Sequence, residues 1–339
     1  MDGKPSPYRL LNGNWSYINL LDAIGSWGLV SELKREMGVE CAASFKHTSP
    51  AGAAIEMKWH ELSEQTRLMM STIYGLSEST PTSVLTYART RNADPQSSFG
   101  DFIAFSGIVD EDLAYFVSNQ ISDGMVAAGY TFLFKGEPEL TKLFRFTEKA
   151  IEILTAKKKG LFVVIAANQR NTTSASADLE FREVGGVALA QPENKRFISG
   201  DDIKRQIPTQ NKNISDEAIR DLVLANACIK FAQSNNVACT FEGQLIGIAS
   251  GQQSRIDAVK LMCQKVRCWL NRHNKSALEF FKTIPGSRQQ RIIDSTFLAN
   301  NPAVTTEWKP EVSVASDAFF PFSDNIEELS KINTKYVSF

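Results

Sequence analysis

Apolar side chains recur at intervals of three and four along INLLDAIGSWGLVSELKREM (18–37), at Leu20, Ile24, Trp27, Val30, Leu33 and Met37. That spacing predicts one buried face of a helix, and Gly38 supplies its stop. The period then changes. CAASF (41–45) is a short apolar run that predicts a buried strand ending at Lys46. A loop of small residues follows, and a helical pattern begins near Leu62, which makes a β-loop-α unit. The pattern recurs down the chain. DEDLAYFVSNQI (110–121) predicts a helix with Leu113, Phe116, Val117 and Ile121 on one face. TEKAIEILTAKKKG (147–160) predicts a second, with a basic last turn that complements the helix dipole, and LFVVIAA (161–167) a buried strand. SDEAIRDLVLANACIKFA (215–232) is helical behind a capping serine, and VACTFEGQLIGIA (237–249) reads as a hairpin around Glu242-Gly243. SGQQSRIDAVKLM (250–262) runs from small residues into a helix, and EVSVA (311–315) is a further strand. Alternating units and a hairpin predict an α/β fold with mixed sheets.

Length and composition narrow the class. A chain of 339 residues is long for one core and suggests two domains. Polar stretches at 168–180 and 193–213 set the expected division: a first unit over 1–167, a connecting segment over 168–213 and a second unit over 214–339. Basic and acidic residues balance at 37 and 38, which argues against a nucleic-acid or membrane-surface binder. Five scattered cysteines with no Cys-x-x-Cys, behind an N-terminus without a signal-peptide layout, predict reduced thiols in the cytosol. The familiar boxes are missing: no Gly-x-x-x-x-Gly-Lys-Ser/Thr, no Gly-x-Gly-x-x-Gly after a strand, no zinc-deaminase pattern and no Gly-x-Ser-x-Gly.

Polar loops remain as candidates. SFKHTSPAGAA (44–54) sets Lys46 beside His47 after a predicted strand, where ligands gather in open α/β sheets. Histidine accepts protons near neutral pH, and an ammonium beside it can stabilise charge developing on oxygen. Ala51, Gly52, Ala53 and Ala54 would let a flat ligand touch backbone; an incidental pair on a surface loop is the plain alternative. SSFGDF (97–102) reads as a turn, and Asp123-Gly124 as a helix end. KFAQSNNVA (230–238) offers four adjacent amide and hydroxyl side chains, suited to a carboxamide or to a solvated turn. SGQQSR (250–255) can bind an anion at a helix start with Arg255 assisting, or simply cap the helix. SDAFFPFSDN (316–325) brackets three phenylalanines with two aspartates, which suits a pocket that stacks a flat ring.

In this order and approximate spacing SFKHTSPAGAA, SSFGDF, ISDGMVAAGY, AQSNNVA, GQLIGIASGQQSRI and SDAFFPFSDN resemble the AICAR transformylase domain of the AICAR transformylase/IMP cyclohydrolase family, from about Leu11 to about Asn325. The resemblance implies a cytidine-deaminase-like fold of two tandem α/β units without zinc, and transfer of a formyl group from 10-formyltetrahydrofolate to AICAR. By the same resemblance Lys46 and His47 are the catalytic pair. Phe99, Gly100, Asp123 and Phe319 line the nucleotide pocket, and Asn235 holds the carboxamide. Arg255, Ile256, Phe320, Pro321, Phe322 and Asp324 receive the folate, and the protein is a homodimer with no metal. Whether a monovalent cation binds is left open.

Several departures accompany the match. The cyclohydrolase domain, an Arg-Tyr-Gly-x-Asn-Pro-His-Gln segment expected before Leu11, and a C-terminal Pro-Ser-Gly stretch with its Arg…His loop are not in this sequence, so ring closure to IMP is not expected and phosphate binding is expected to be weak. Gln96 stands for a methionine and Ser323 for an arginine, and 131–146 reads as an insertion. A non-catalytic folate- or nucleotide-binding remnant, or a dimerisation partner of a longer relative, is the alternative to an enzyme.

Overall fold

The computed structural model describes residues 6–129, 145–167, 179–301 and 303–339. Strand β1 (Tyr8–Asn12) leads into helix α1 (Tyr17–Met37), where the side chains of Ser16 and Asn19 cap each other's backbone and Gly38 closes the helix at φ 72°. A left-handed close of this kind is what a residue without Cβ permits.

Strands β2 (Cys41–Lys46) and β3 (Ser49–Ile55) form a hairpin, with His47 and Thr48 at φ 51° and 66° in its turn. The small-residue stretch expected to be a loop is therefore a strand. The reason is helix α3 (Thr82–Asn92), which lies on it: a Cβ on Gly52 would sit 2.0 Å from the Thr90 carbonyl oxygen. Ala51, Ala53 and Ala54 are buried beside it. The stretch is bare because a helix packs there, and a run of alanines carries none of the β-branched signal by which a strand is read.

Helix α2 (Glu64–Tyr74) precedes α3, and strand β4 (Asp101–Phe105) follows it. Helix α4 (Glu111–Ser118) starts on the Asp110 cap and ends earlier than its apolar period suggests. Ile121 lies beyond it, and Ser122–Ala128 is strand β5, so Asp123 begins a strand where a helix end was expected. Gly124 is needed there by close approach, since a Cβ would lie 2.4 Å from the Phe102 ring. Helix α5 (Glu148–Ala156) gives way to a separate turn, Lys157–Gly160, in which Lys158 and Lys159 are left-handed; the expected basic last turn is not helical. Strand β6 (Val163–Ala167) follows.

The segment expected to connect the halves carries a hairpin, β7 (Leu179–Val184) with β8 (Val187–Pro192), exposed along its whole length, and the short helix α6 (Gly200–Arg205). Residues 168–178 of that segment, and 131–144 of the supposed insertion, lie outside the described residues. Helix α7 (Asp216–Lys230) and strands β9 (Val237–Phe241) and β10 (Gln244–Ala249) follow the periodic reading closely, while helix α8 (Arg255–Arg272) starts as read and runs ten residues beyond Met262. Helices α9 (Lys275–Thr283) and α10 (Arg288–Ala299), strand β11 (Val312–Ser316), helix α11 (Ser323–Ser330) and strand β12 (Thr334–Ser338) complete the chain.

One mixed ten-stranded sheet, ordered β1-β6-β5-β4-β2-β3-β10-β9-β11-β12, runs through the molecule. Its two sides repeat a pattern. A helix leads an antiparallel hairpin, another helix crosses it, a strand returns antiparallel to the first hairpin strand, and the last strand lies parallel to that one. The first side uses α1, β2, β3, α3, β4 and β5, and the second α7, β9, β10, α8, β11 and β12. They meet where β3 and β10 run antiparallel, Ala54 opposite Gln244. A large core packs around α1, α3 and the first strands, and a second around α8, with Val237, Ile246, Met262, Trp269 and Val314 buried in it. All five cysteines are buried and free. Among the described residues no helix is long and apolar enough to cross a membrane, and no three His, Cys, Asp or Glu side chains gather as a metal ion would require.

Candidate functional site

Strand direction brings the candidate residues to one margin of the sheet. Phe45, at the end of β2, faces Phe102 at the start of β4, and Asp101 faces Ser122 at the start of β5. Across the seam, Ala249 ends β10 opposite Val237, which also faces Ser316 at the end of β11. The segments holding Lys46–His47, Phe99–Gly100, Asp123, Asn235, Arg255–Ile256 and Phe319–Asp324 all leave the sheet there. The hydroxyls of Ser49 and Ser250, 3.4 Å apart, join the two sides.

On the first side Lys46 meets Phe99 and Gly100, and the Asp123 carboxylate lies near Gly100. The Lys46 ammonium donates to the carbonyl oxygens of Phe99 at 2.9 Å and Gly100 at 2.8 Å. Gly100 has φ 74°, and a Cβ there would lie 2.9 Å from Lys46 Nζ and 3.6 Å from an Asp123 carboxylate oxygen. The positive φ is what favours glycine, since the lysine end could shift to admit a Cβ. The Asp123 carboxylate accepts from Lys158 Nζ at 2.6 Å, so the left-handed lysine turn after α5 also reaches this margin. Burial, and then the charge of Lys158, push neighbouring Lys157 down to about 8. Beneath the loop, Arg91 donates to Asp101 at 2.7 Å and to the Ile121 carbonyl at 2.9 Å, and Ser44 donates to Asp101 at 2.8 Å. This buried ion pair fixes the backbone whose carbonyls hold Lys46.

His47 sits exposed at the tip of the hairpin turn. Two consecutive residues with Cβ atoms at positive φ, one of them β-branched, cost on the order of 1 kcal/mol each. Asp22 of α1 offsets part of that cost: its carboxylate accepts from the Thr48 N–H at 2.6 Å. Burial raises the Asp22 pKa by more than that hydrogen bond and the nearby His47 and Lys46 lower it. Asp22 was not among the sequence candidates. Its signal was present, one carboxylate within a largely apolar helical stretch, but only the fold shows which turn it serves.

On the second side Asn235 donates through Nδ2 to the carbonyls of Gln252 at 2.9 Å and Gln253 at 3.3 Å, and its backbone pairs with Gln252 in both directions. Arg255 forms an ion pair with Asp317 and donates to the Asn236 carbonyl at 3.1 Å. Burial would raise the Asp317 pKa, but hydrogen bonds from Ser234, Arg255 and the Asn236 N–H hold it below the usual carboxylate range. Ile256 lies half-buried in the first turn of α8. Phe320 packs on the second core, whereas Phe319 and Phe322 stand 65% and 72% exposed beside exposed Pro321. Asp324 turns back to its own neighbour, accepting from the Asn325 N–H and amide group at 2.7 Å each. Of the sequence candidates it is the one whose carboxylate is engaged locally.

The margin thus combines a braced ammonium, an imidazole beside it, amide and guanidinium groups and unpacked aromatic faces. The model of the AICARFT/IMPCHase bienzyme family matches residues 3–135 and 139–265, which takes in every segment named above except Phe319–Asp324. With the match spanning well over half of its length, the chain belongs to the AICARFT/IMPCHase bienzyme family.

Proposed function

We propose that the margin transfers a formyl group from 10-formyltetrahydrofolate to AICAR, a step of purine biosynthesis in the cytosol. The observation that carries this most is the Lys46 ammonium, anchored by two carbonyls and next in sequence to an exposed imidazole on a braced turn. The exocyclic amine of AICAR attacks the formyl carbon, and the bond from that carbon to the folate nitrogen breaks. His47 takes the amine proton and returns it to the departing folate nitrogen, and Lys46 stabilises the negative charge on the formyl oxygen as the carbon becomes tetrahedral.

Phe99, Gly100, Asp123 and Phe319 line the nucleotide, and Asn235 meets its carboxamide. Arg255, Ile256, Phe320, Pro321, Phe322 and Asp324 take the folate. Exposed ring faces at Phe319 and Phe322 support stacking against flat heterocycles. Aromatics left unpacked at this margin also suit a homodimer in which a second copy covers them.

The test is formyl transfer by the purified chain, with His47→Ala beside it. Turnover that falls by about 10²–10⁴ in the variant, with folate binding retained, is the expected result. A parent chain that binds the folate yet shows no turnover at saturating AICAR would replace catalysis with a binding role.

A further inference from the structure

A second site lies where the turn after α3 meets helices α8 and α10. The geometry points to a cavity of about 210 Å³, lined by Asp94, Ser97, Gln264, Lys265, Cys268 and Arg272 among others, as a binding site for a small oxyanion, a phosphate or short carboxylate. The charge count carries it. Arg272 is 3% exposed, and its guanidinium donates to the Asn92 carbonyl at 2.6 Å and the Asn92 side-chain oxygen at 2.5 Å, both neutral acceptors. Among the described residues no carboxylate pairs with it. A buried cation without a counter-ion is costly, and a wall of the cavity is where one can be supplied.

The other charges are already matched. Asp94 pairs with Lys265 at 3.0 Å and takes the Ser97 N–H at 3.0 Å and hydroxyl at 2.6 Å. Burial raises the Cys268 thiol, which stays neutral. Two cations against one carboxylate leave a single positive charge facing the space. Amides of Gln264 and Asn300 add hydrogen-bond donors on the lining. At about 30 Å³ per water, the volume holds an oxyanion with part of its hydration shell.

The cavity and the margin share one turn. Asp94 and Ser97 line the cavity, while the next residues turn to the margin: Ser98 meets the Ser44 hydroxyl at 2.9 Å, and Phe99 and Gly100 hold Lys46. An anion bridging Arg272 and Lys265 would stiffen the turn that anchors the ammonium.

Crystals grown without oxyanions and soaked in selenate give the direct test. Anomalous density inside the cavity, within hydrogen-bonding distance of Arg272, is expected; selenate bound only elsewhere overturns the site. In solution, phosphate and acetate are titrated separately at fixed ionic strength against a chloride control, following thermal unfolding. Gln264→Glu, at an exposed position that folding tolerates, should weaken anion binding about tenfold. Lys46→Met should leave it unchanged. Stabilisation by phosphate alone identifies a phosphate site, and stabilisation by both a general oxyanion site. Stabilisation lost in Lys46→Met but kept in Gln264→Glu would assign the anion to the margin and refute the cavity.

Discussion

The turn at His47–Thr48 and the turn at Glu242–Gly243 are one device used twice, with opposite outcomes. Each joins two strands through consecutive residues at positive φ. Each is held by an aspartate from the helix that leads its side: Asp22 accepts from the Thr48 N–H at 2.6 Å, and Asp221 from the Gly243 N–H at 2.7 Å. Because the two sides pair antiparallel through β3 and β10, the turns lie at opposite margins. The second margin is closed. The Glu242 carboxylate accepts from the Ser63 N–H at 2.7 Å and the Thr66 hydroxyl at 2.9 Å, and its carbonyl is taken by the buried Arg89. Gly243 packs so tightly that a Cβ would lie 2.7 Å from Ile55. At the first margin His47 and Thr48 are exposed, and so are the Phe99, Phe319 and Phe322 rings on segments that leave the same margin. A repeated fold offers two equivalent places for chemistry, and packing has kept one of them open. Function lives in the site rather than in the architecture.

Acid should separate the two sides most strongly. His273, at the end of α8, is buried against Trp269 and Trp308, with ring centroids 4.0 and 4.8 Å apart. Burial holds its pKa down at about 3. The unfolded chain binds this proton below about pH 6.5 while the folded one does not, so stability is full above that pH and is lost as pH falls toward 3. A loss on the order of 4 kcal/mol is expected across that window. His273→Phe, which keeps the stack, should flatten this limb in pH-dependent denaturant titrations; an unchanged slope would show that other groups dominate.

Next in size, Glu242→Ala should cost roughly 2–4 kcal/mol in denaturant unfolding, since it strips two donors of a charged partner. The corresponding His47→Ala should change stability by no more than about 0.5 kcal/mol, because nothing packs on an exposed tip. Equal losses at the two turns would break the contrast between a closed and an open margin. The smallest difference lies in the braces. Asp221→Ala leaves the buried Gly243 N–H without an acceptor and should cost about 2 kcal/mol. Asp22→Ala frees an N–H at an exposed turn, where water replaces the carboxylate, and should cost about 1 kcal/mol. Thermal unfolding of the two variants side by side gives the comparison.

Where a side chain pattern had both period and punctuation, the sequence was enough. Helix α7 begins behind Ser215, helix α1 ends on Gly38, and the Glu242-Gly243 turn sits between two apolar runs, all as read from the chain. Strands β3 and β5 were missed for a physical reason. Their sequences, SPAGAAI and SDGMVAA, are chosen by what lies on them, helix α3 and the Phe102 ring, and small residues carry little local signal. Motif segments were legible one at a time, but the pairings were not: Asp22 braces the Thr48 turn, Lys158 pairs with Asp123, and Asp317, itself inside a motif, pairs with Arg255 across 62 residues.

By itself the sequence determined the α/β class, the strongly periodic helices and the family, because periodicity, caps and ordered motifs are written in neighbouring residues. Tertiary structure alone decided that β3 joins β10, that six separated segments share one margin, and that the equivalent margin is sealed. Those outcomes depend on strand direction and on close packing between residues far apart in the chain, which no local pattern encodes.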